Sequence, residues 1–189
     1  MTTIAAVEGD GWAVIGFDSR VSTMLPGGRI YTMPTTSNGK IVRNGEYLIG
    51  AAGDLRILNI IGYAFKPPTP PRGNTNLDKF IVTTFIPALR LCFEEHGVSL
   101  KENGTGADLI VALRGRIYEI GEGFEWCADS KGIYAVGSGS TFALGSLYTT
   151  LGGKKYGIET AKKAVKLSLE IASSLDSGTG LPIVITTQE

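Results

Sequence analysis

The chain has 189 residues and carries 18 Lys and Arg against 18 Asp and Glu, so its formal net charge is zero. Hydrophobic residues make up 43% and charged residues 19% of the chain, a composition typical of a globular protein with one large core. Nucleic acids and anionic membranes select proteins with a basic excess, so the balanced charge argues against both as partners. The 26 glycines are about twice the usual share and predict tight turns and close approaches of the backbone.

Cysteine and histidine are too few for a metal centre or a disulfide framework. The chain has only Cys92, Cys127 and His96, whereas a structural zinc site needs about four ligands. We therefore expect no metal, no cofactor and two reduced, buried thiols. Because His96 follows two glutamates and precedes Gly97, it is expected at the solvated end of a helix.

The sequence contains no recognisable targeting or membrane-spanning segment. No basic patch followed by an apolar run stands at the N-terminus, and no apolar stretch approaches the ~18 residues that a membrane span needs. These features predict a soluble, cytoplasmic protein.

Strand patterns fill the first part of the chain. Turn residues at Glu8–Gly11 and the dipeptide Asn44-Gly45 are hairpin signals, and a short run at Arg29–Met33 lies between two Pro/Gly-rich breaks. We predict four strands that form an antiparallel meander: Thr2–Val7, Trp12–Phe17, Lys40–Arg43 and Tyr47–Ala52.

Helices and strands then follow in blocks. Helical spacing predicts helices over Leu55–Phe65, Leu77–His96 (kinked at Pro87), Phe142–Leu151 and Ile158–Leu175. Further strands are predicted over Asp108–Leu113, Arg116–Ile120, Phe124–Asp129, Ile133–Val136 and Leu181–Thr187. Blocks of strands and helices, rather than their alternation, indicate antiparallel sheets covered by helices. The predicted fold class is α+β, a four-layer αββα sandwich of two antiparallel sheets flanked by helices, in a single domain over residues 1–189.

The N-terminus offers a nucleophile that needs no histidine. Met aminopeptidases remove Met before small residues, which would leave Thr2 at the start of the first strand with a free α-amine. That amine has an ordinary pKa of about 7.7–8.0 and is able to act as the general base for the neighbouring hydroxyl. Taken alone, the same residue equally fits the start of an ordinary strand.

Five motifs in order resemble the proteasome β-subunit family of N-terminal-nucleophile hydrolases, including its bacterial ring-forming peptidase relatives. They are TTIAAVEGDGWAVIGFDSR, the GKI lysine strand, GAAGD, YAVGSGS and DSGTG, and they span essentially the whole chain. Each motif is weak by itself, and the strength of the resemblance lies in their order behind an N-terminal Thr. The family's αββα sandwich agrees with the blocks of strands and helices.

The resemblance implies catalytic roles for seven residues. Thr2 would be the nucleophile, Lys40 would lower the pKa of its amine or hydroxyl, and Asp18 would hold Lys40 in place. The backbone N–H of Gly53 would bind the oxyanion. Ser138, Asp176 and Thr179 would orient the amine.

Each of these roles has a plainer alternative in the sequence. Asp18 and Lys40 alone fit a surface ion pair, and the Ser and Asp residues next to glycines are common in turns.

A substrate pocket is implied as well. By register, Val21, Val42 and Ala51 would line an apolar pocket for the residue before the scissile bond. Ser22 and Gly53 would pair through their backbones with an extended peptide. The segment from Asp18 to Lys40 is longer than is usual in the family, with the additional residues in the Leu25–Gly39 stretch.

The sequence thus predicts a threonine peptidase that acts on peptides or unfolded proteins in a homo-oligomeric ring. Because no P-loop occurs in the chain, energy-dependent unfolding would need a separate unfoldase ATPase or activator. Two alternatives stay open: a non-catalytic scaffold subunit of the same fold, and a small-molecule amidase with the same nucleophile.

Overall fold

The computed structural model describes residues 2–25, 29–34, 39–73, 76–98 and 106–188. The strands of these residues are β1 (Thr3–Glu8), β2 (Ala13–Asp18), β3 (Arg20–Leu25), β4 (Arg29–Pro34), β5 (Ile41–Asn44), β6 (Tyr47–Gly53), β7 (Ala107–Leu113), β8 (Arg116–Ile120), β9 (Trp126–Cys127), β10 (Ile133–Gly137) and β11 (Ile183–Gln188). The helices are α1 (Leu55–Tyr63), α2 (Leu77–Phe80), α3 (Ile86–Glu95), α4 (Ser140–Leu151) and α5 (Ile158–Leu175).

The strands form two large antiparallel sheets and one hairpin. The first sheet has the order β10-β1-β2-β11, the second has the order β5-β6-β7-β8-β9, and β3 pairs only with β4. The predicted meander of the first strands is therefore wrong, because β1–β2 and β5–β6 belong to different sheets. Hairpin signals specify which neighbouring strands pair, whereas the assignment of each hairpin to a sheet depends on long-range burial.

Helices cover the outer face of each sheet, which gives four layers. Along β1, Ala5 and Val7 pack against α4 and α5, while Ile4 and Ala6 alternate with them and face the second sheet. A third buried cluster joins the second sheet to α1 and α3, with Leu109 of β7 among its members. The three buried clusters correspond to the three interfaces of an αββα sandwich.

The predicted helix over Leu77–His96 is interrupted before its proline. A π-helical turn over Ile81–Phe85 separates α2 from α3, and Pro87 lies in the first turn of α3. Proline lacks the N–H that would bond to the preceding turn, so the backbone widens there. His96 caps the C-terminal end of α3 in an exposed position, as the sequence predicts.

Two local predictions need correction. Cys92 is buried, but Cys127 is exposed, because it lies on the short edge strand β9. The strand predicted over Phe124–Asp129 shrinks to that two-residue strand.

Among the helices of the described ranges, none is both long and apolar enough to cross a bilayer.

Candidate active site

The candidate residues converge at one end of the sandwich, where strands of the first sheet begin or end. Thr2 precedes β1, Asp18 ends β2, and Ser138 follows β10. Because Thr3 pairs with Gly137 and Ile4 pairs with Phe17, the antiparallel registers bring these three segments side by side. The topology of the sheet therefore gathers residues that are distant in sequence, such as Gly139 and Thr3, whose hydrogen bond spans 136 positions.

Thr2 is buried and its backbone is held on both sides. Its side chain and backbone are together only 4% exposed, and its carbonyl accepts the N–H of Ser138 at 2.9 Å. The next N–H, that of Thr3, donates to Asp18 Oδ1 at 2.9 Å. Gly137 has a φ of 94°, and a Cβ at this position would lie 1.9 Å from the Thr2 carbonyl oxygen. Only glycine fits there, so the Thr2–Thr3 peptide is fixed in place.

Asp18 and Lys40 form a fully buried ion pair next to this peptide. Lys40 Nζ lies 2.5 Å from Asp18 Oδ1, and both side chains are 0% exposed. The other carboxylate oxygen, Oδ2, accepts the N–H groups of Arg20 at 3.1 Å and Gly180 at 2.9 Å. A surface ion pair is thus excluded, and four donors compensate the carboxylate for the loss of water.

Lys40 is positioned by the turn that precedes β5. Its carbonyl accepts the N–H of Ala51 at 3.3 Å, and Gly39, with a φ of 53°, lies against the ring of Phe17 where a Cβ would be 2.4 Å away. Burial lowers the pKa of the Lys40 ammonium, and the negative charge of Asp18 acts against this decrease. The Lys40 ammonium therefore has a lower pKa than the ammonium of an exposed lysine.

A directed chain of hydrogen bonds lies on the other side of Thr2. Asp176 Oδ2 accepts the hydroxyls of Ser138 at 2.7 Å and Thr179 at 2.6 Å. Since the Thr179 proton is used in this way, the 2.5 Å contact between the hydroxyls of Thr3 and Thr179 has Thr3 as its donor. Thr3 in turn accepts the N–H of Gly139 at 3.0 Å. Each hydroxyl along this chain therefore has a defined orientation.

The hydrogen bonds keep Asp176 ionised. Partial burial raises the pKa of this carboxyl, but the hydroxyls of Thr179 and Ser138 and the N–H of Gly178 outweigh burial, so that its pKa lies below the ordinary value. Asp176 is therefore an acceptor throughout the neutral pH range.

The predicted pocket residues are more dispersed. Val42 lines a cavity of about 360 Å³ between β5 and α1, whose walls include Gly62 and Tyr63. Val21 and Ser22 are half-buried on β3, and the Ser22 hydroxyl has no hydrogen-bond partner among the described residues. Gly53 is exposed at the end of β6 with a φ of 143°.

Ala51 does not line the cavity beside Val42. It is 2% exposed and belongs to the buried core that packs against α1.

Three residues of the site were not among those singled out in the sequence. Thr3, Arg20 and Gly180 each bond directly to a candidate residue, and the Arg20 guanidinium also donates to the Ser177 carbonyl at 3.0 Å. The sequence could have indicated Thr3, because it is a polar residue at the start of an otherwise apolar strand. The sequence could not have indicated Arg20 and Gly180, since they act through backbone N–H groups that nearly every residue supplies.

Replacing Asp18 by Asn should strongly destabilise the fold. The change removes the charge that compensates buried Lys40, and breaking a buried pair in this way costs about 3–5 kcal/mol. The matched control is Glu159→Gln, which breaks the exposed Glu159–Lys162 pair and should cost less than about 1 kcal/mol. Urea unfolding of both variants measures the two free energies; equal costs would contradict the assignment of a buried pair.

Replacing Thr3 by Val should also lower stability, although the two side chains have the same shape. The change leaves the buried N–H of Gly139 without its acceptor, at a cost of about 1–3 kcal/mol. Thr3→Ser keeps the hydroxyl and should lose much less. Urea unfolding measures both variants, and a Ser variant that loses as much as the Val variant would show that the hydroxyl does not matter.

The Asp176 carboxylate should make the stability of the chain depend on pH. Because its folded pKa is depressed, its contribution is present above the unfolded pKa of about 3.9 and is lost as the pH falls through the folded pKa. The difference in unfolding free energy between the native chain and Asp176→Asn should therefore shrink below about pH 4. A difference for Asp176→Asn that is constant with pH would contradict the prediction.

Comparisons with known proteins give the fold independently. No protein-family model matches the sequence, and no curated protein matches it at a significant level. Solved structures do match. They include BPH of Thiobacillus denitrificans in complex with epoxomicin, at 22% identity and a TM-score of 0.78, and a second structure of BPH, at 24% identity and a TM-score of 0.74. Both matches cover 100% of this chain and 98% of the other.

A eukaryotic protein has the same architecture. HslV from Trypanosoma brucei matches with 21% identity and a TM-score of 0.64, over 98% of both chains. The similarity to the proteasome-like proteins thus extends over the whole fold, as the motifs indicate. The predicted four-layer sandwich is confirmed: the chain has the HslV/proteasome type of N-terminal-nucleophile hydrolase fold.

Proposed function

We propose that the chain is a threonine peptidase whose nucleophile is Thr2, freed by removal of Met1. The observation that carries the proposal is the fully buried Asp18–Lys40 pair, whose carboxylate binds the peptide N–H directly after Thr2. A buried charge pair is costly to maintain, and its position beside a candidate nucleophile favours a catalytic role over a structural one. The structure of BPH with epoxomicin, an epoxyketone, adds support from a protein of the same fold.

The reaction follows from the chemistry of an N-terminal threonine. The Thr2 hydroxyl attacks the scissile carbonyl, and its proton passes to the α-amine of the same residue. The amine then protonates the leaving nitrogen as the C–N bond breaks, which leaves an acyl ester on Thr2. Water attacks the ester with the amine again as base, and the hydroxyl is restored.

Lys40 and Asp18 activate this nucleophile in the proposal. A charged ammonium near Thr2 lowers the pKa of the hydroxyl and stabilises the negative charge that develops on its oxygen. Asp18 holds the ammonium in place and partly opposes the effect of burial on its pKa. Asp18 acts as a positioning residue, because it touches Lys40 rather than the substrate.

The remaining site residues receive supporting roles. Ser138, Asp176 and Thr179 orient the freed amine through their connected hydrogen bonds. Gly53, exposed at the end of β6, offers its N–H to the oxyanion, a contribution typically of about 10²–10³ in rate.

Peptides and unfolded proteins are the proposed substrates. An extended peptide would pair with the backbones of Ser22 and Gly53, in the manner of an added strand. The cavity lined by Val42 would take the side chain before the scissile bond, and its apolar walls include Ile41 and Leu58. The proposed preference is for apolar side chains, and Arg43 is a charged residue that also lines the cavity.

The proposal includes a homo-oligomeric ring in the cytoplasm. A fold shared with HslV supports a ring-forming chain. Unfolding of substrate proteins would then be the task of a separate ATPase or activator.

Replacing Thr2 by Ala should abolish peptide hydrolysis. The variant keeps the backbone bonds that fix this position but lacks the attacking oxygen, so its kcat should fall by about 10³-fold or more. Thr2→Ser is the matched control, because it retains a hydroxyl, and should keep measurable activity. Peptide hydrolysis, with intact mass to follow the loss of one methionine residue, checks the prediction, and epoxomicin should add to the native chain but not to Thr2→Ala.

Other results would select the alternatives. Retained Met1 with no epoxomicin adduct would favour the scaffold subunit, and cleavage of small amides but not of peptides would favour the amidase. Full peptidase activity of Thr2→Ala would overturn the assignment of the nucleophile.

A further inference from the structure

The sandwich is closed by helices on its two faces but is open along its two sides. On one side lie the edge strands β5 and β11, which are connected because Arg43 donates to the Thr187 carbonyl at 3.1 Å. On the opposite side lie the edge strands β9 and β10, connected by the Asp129 N–H, which donates to the Tyr134 hydroxyl at 3.1 Å. Edge strands present backbone groups that are free to pair with another chain.

The side formed by β5, β11 and α5 is basic. A groove of about 610 Å³ runs between α5 and β11, and four cations line it: Arg43, Lys162, Lys163 and Lys166. Two of them have carboxylates nearby, since Lys162 pairs with Glu159 at 2.6 Å and Lys166 lies 3.8 Å from Glu170. Positive charge therefore remains in excess on this surface, which we call the basic side.

The side formed by β8, β9 and the start of β7 is acidic. Five carboxylates gather there, and we call this surface the acidic side: Asp108, Glu119, Glu122, Glu125 and Asp129. Two of these carboxyl groups have pKa values raised by burial and by their acidic neighbours. Burial and then the charges of Glu122 and Glu125 raise the pKa of Asp108, and burial and then Asp108 and Asp129 raise the pKa of Glu119. Among the described residues, three cations lie near this surface: Lys131 next to Asp129, Arg116 at the start of β8, and Arg90 over the ring of Phe124. The five carboxylates outnumber them.

Opposite charges thus lie on opposite sides of a chain whose net charge is zero. A second copy of the chain presents to each side a surface of the complementary sign. We propose that the basic side of one copy binds the acidic side of the next, head to tail, and that this contact builds the proposed ring, on which the inference rests. Because the contact joins two different surfaces of the same chain, it is heterologous and repeats until the ring closes.

A polyanion such as nucleic acid is a weaker candidate for the basic side. The neutral chain exerts no long-range attraction on a polyanion, and the acidic side would stay exposed and uncompensated in such a complex. A second copy compensates both sides at once.

Charge reversal on each side tests the contact. The basic-side variant is Lys163→Glu with Lys166→Glu, and the acidic-side variant is Glu122→Lys with Glu125→Lys; all four residues are exposed. The control is Lys66→Glu with Lys79→Glu, which changes the net charge as the basic-side variant does; both residues are exposed, and neither lines the basic groove. Light scattering measures the mass of each variant relative to the 20.0 kDa chain, and circular dichroism verifies that each is folded.

Each reversed variant alone should dissociate, with its dissociation constant raised about tenfold or more, because the attraction between the two sides is then lost or turned into repulsion. A mixture of the two variants should assemble again, since the new glutamates of one variant then face the new lysines of the other, and the unchanged sides still match. A chain that carries all four substitutions should assemble by itself, and the control should behave as the native chain. Raising the salt concentration should weaken the native assembly.

Retention of the native mass by either single-side variant, or no assembly in the mixture, would overturn the proposed contact while leaving the ring in place. A native chain that is monomeric would overturn both the contact and the ring. Assembly that ignores both reversals, with heparin binding lost only in the basic-side variant, would assign the basic side to a polyanion instead. The epoxomicin adduct at Thr2 is read in the same samples, so failure of the peptidase proposal is seen separately from failure of the contact.

Discussion

The buried ion pair between Asp18 and Lys40 is the interaction around which one end of the sandwich is arranged. Two charges without access to water are costly unless every lone pair of the carboxylate finds a donor. The donors come from four separate segments: the start of β1, the residues after β2, the turn before β5 and the loop before β11. Each of these segments must be in place for the pair to be tolerated, so the pair fixes the geometry around Thr2.

Thr2 lies between two carboxylates that act through different groups. Asp18 accepts the backbone N–H of Thr3. Asp176 accepts the hydroxyl of Thr179, which in turn accepts the hydroxyl of Thr3. Thr3 is therefore the residue that connects the two sets of hydrogen bonds, with its backbone on one and its side chain on the other. The alternation of a β-strand explains this position, because N–H and side chain of one residue point in different directions.

The same sandwich architecture that positions the site also leaves its sides free. Helices cover both outer faces, so the apolar faces of the sheets are already buried within one chain. The sheet edges remain, and the charges beside them have opposite signs on the two sides. The net charge of the chain is zero, but its positive and negative charges lie on opposite sides. A head-to-tail neighbour would place a surface of opposite sign against each side.

Local patterns in the sequence were sufficient for much of the fold. Hairpin signals, apolar spacing and the blocks of strands and helices predict the αββα layers, and the motif order predicts which residues meet near Thr2. The sequence could not show that β1–β2 and β5–β6 enter different sheets, that Thr3 links the two carboxylates, or that Ala51 lies in the core away from the cavity. Those features depend on contacts between residues distant in the chain and on backbone N–H groups that every residue except proline carries, so only the tertiary structure decides them.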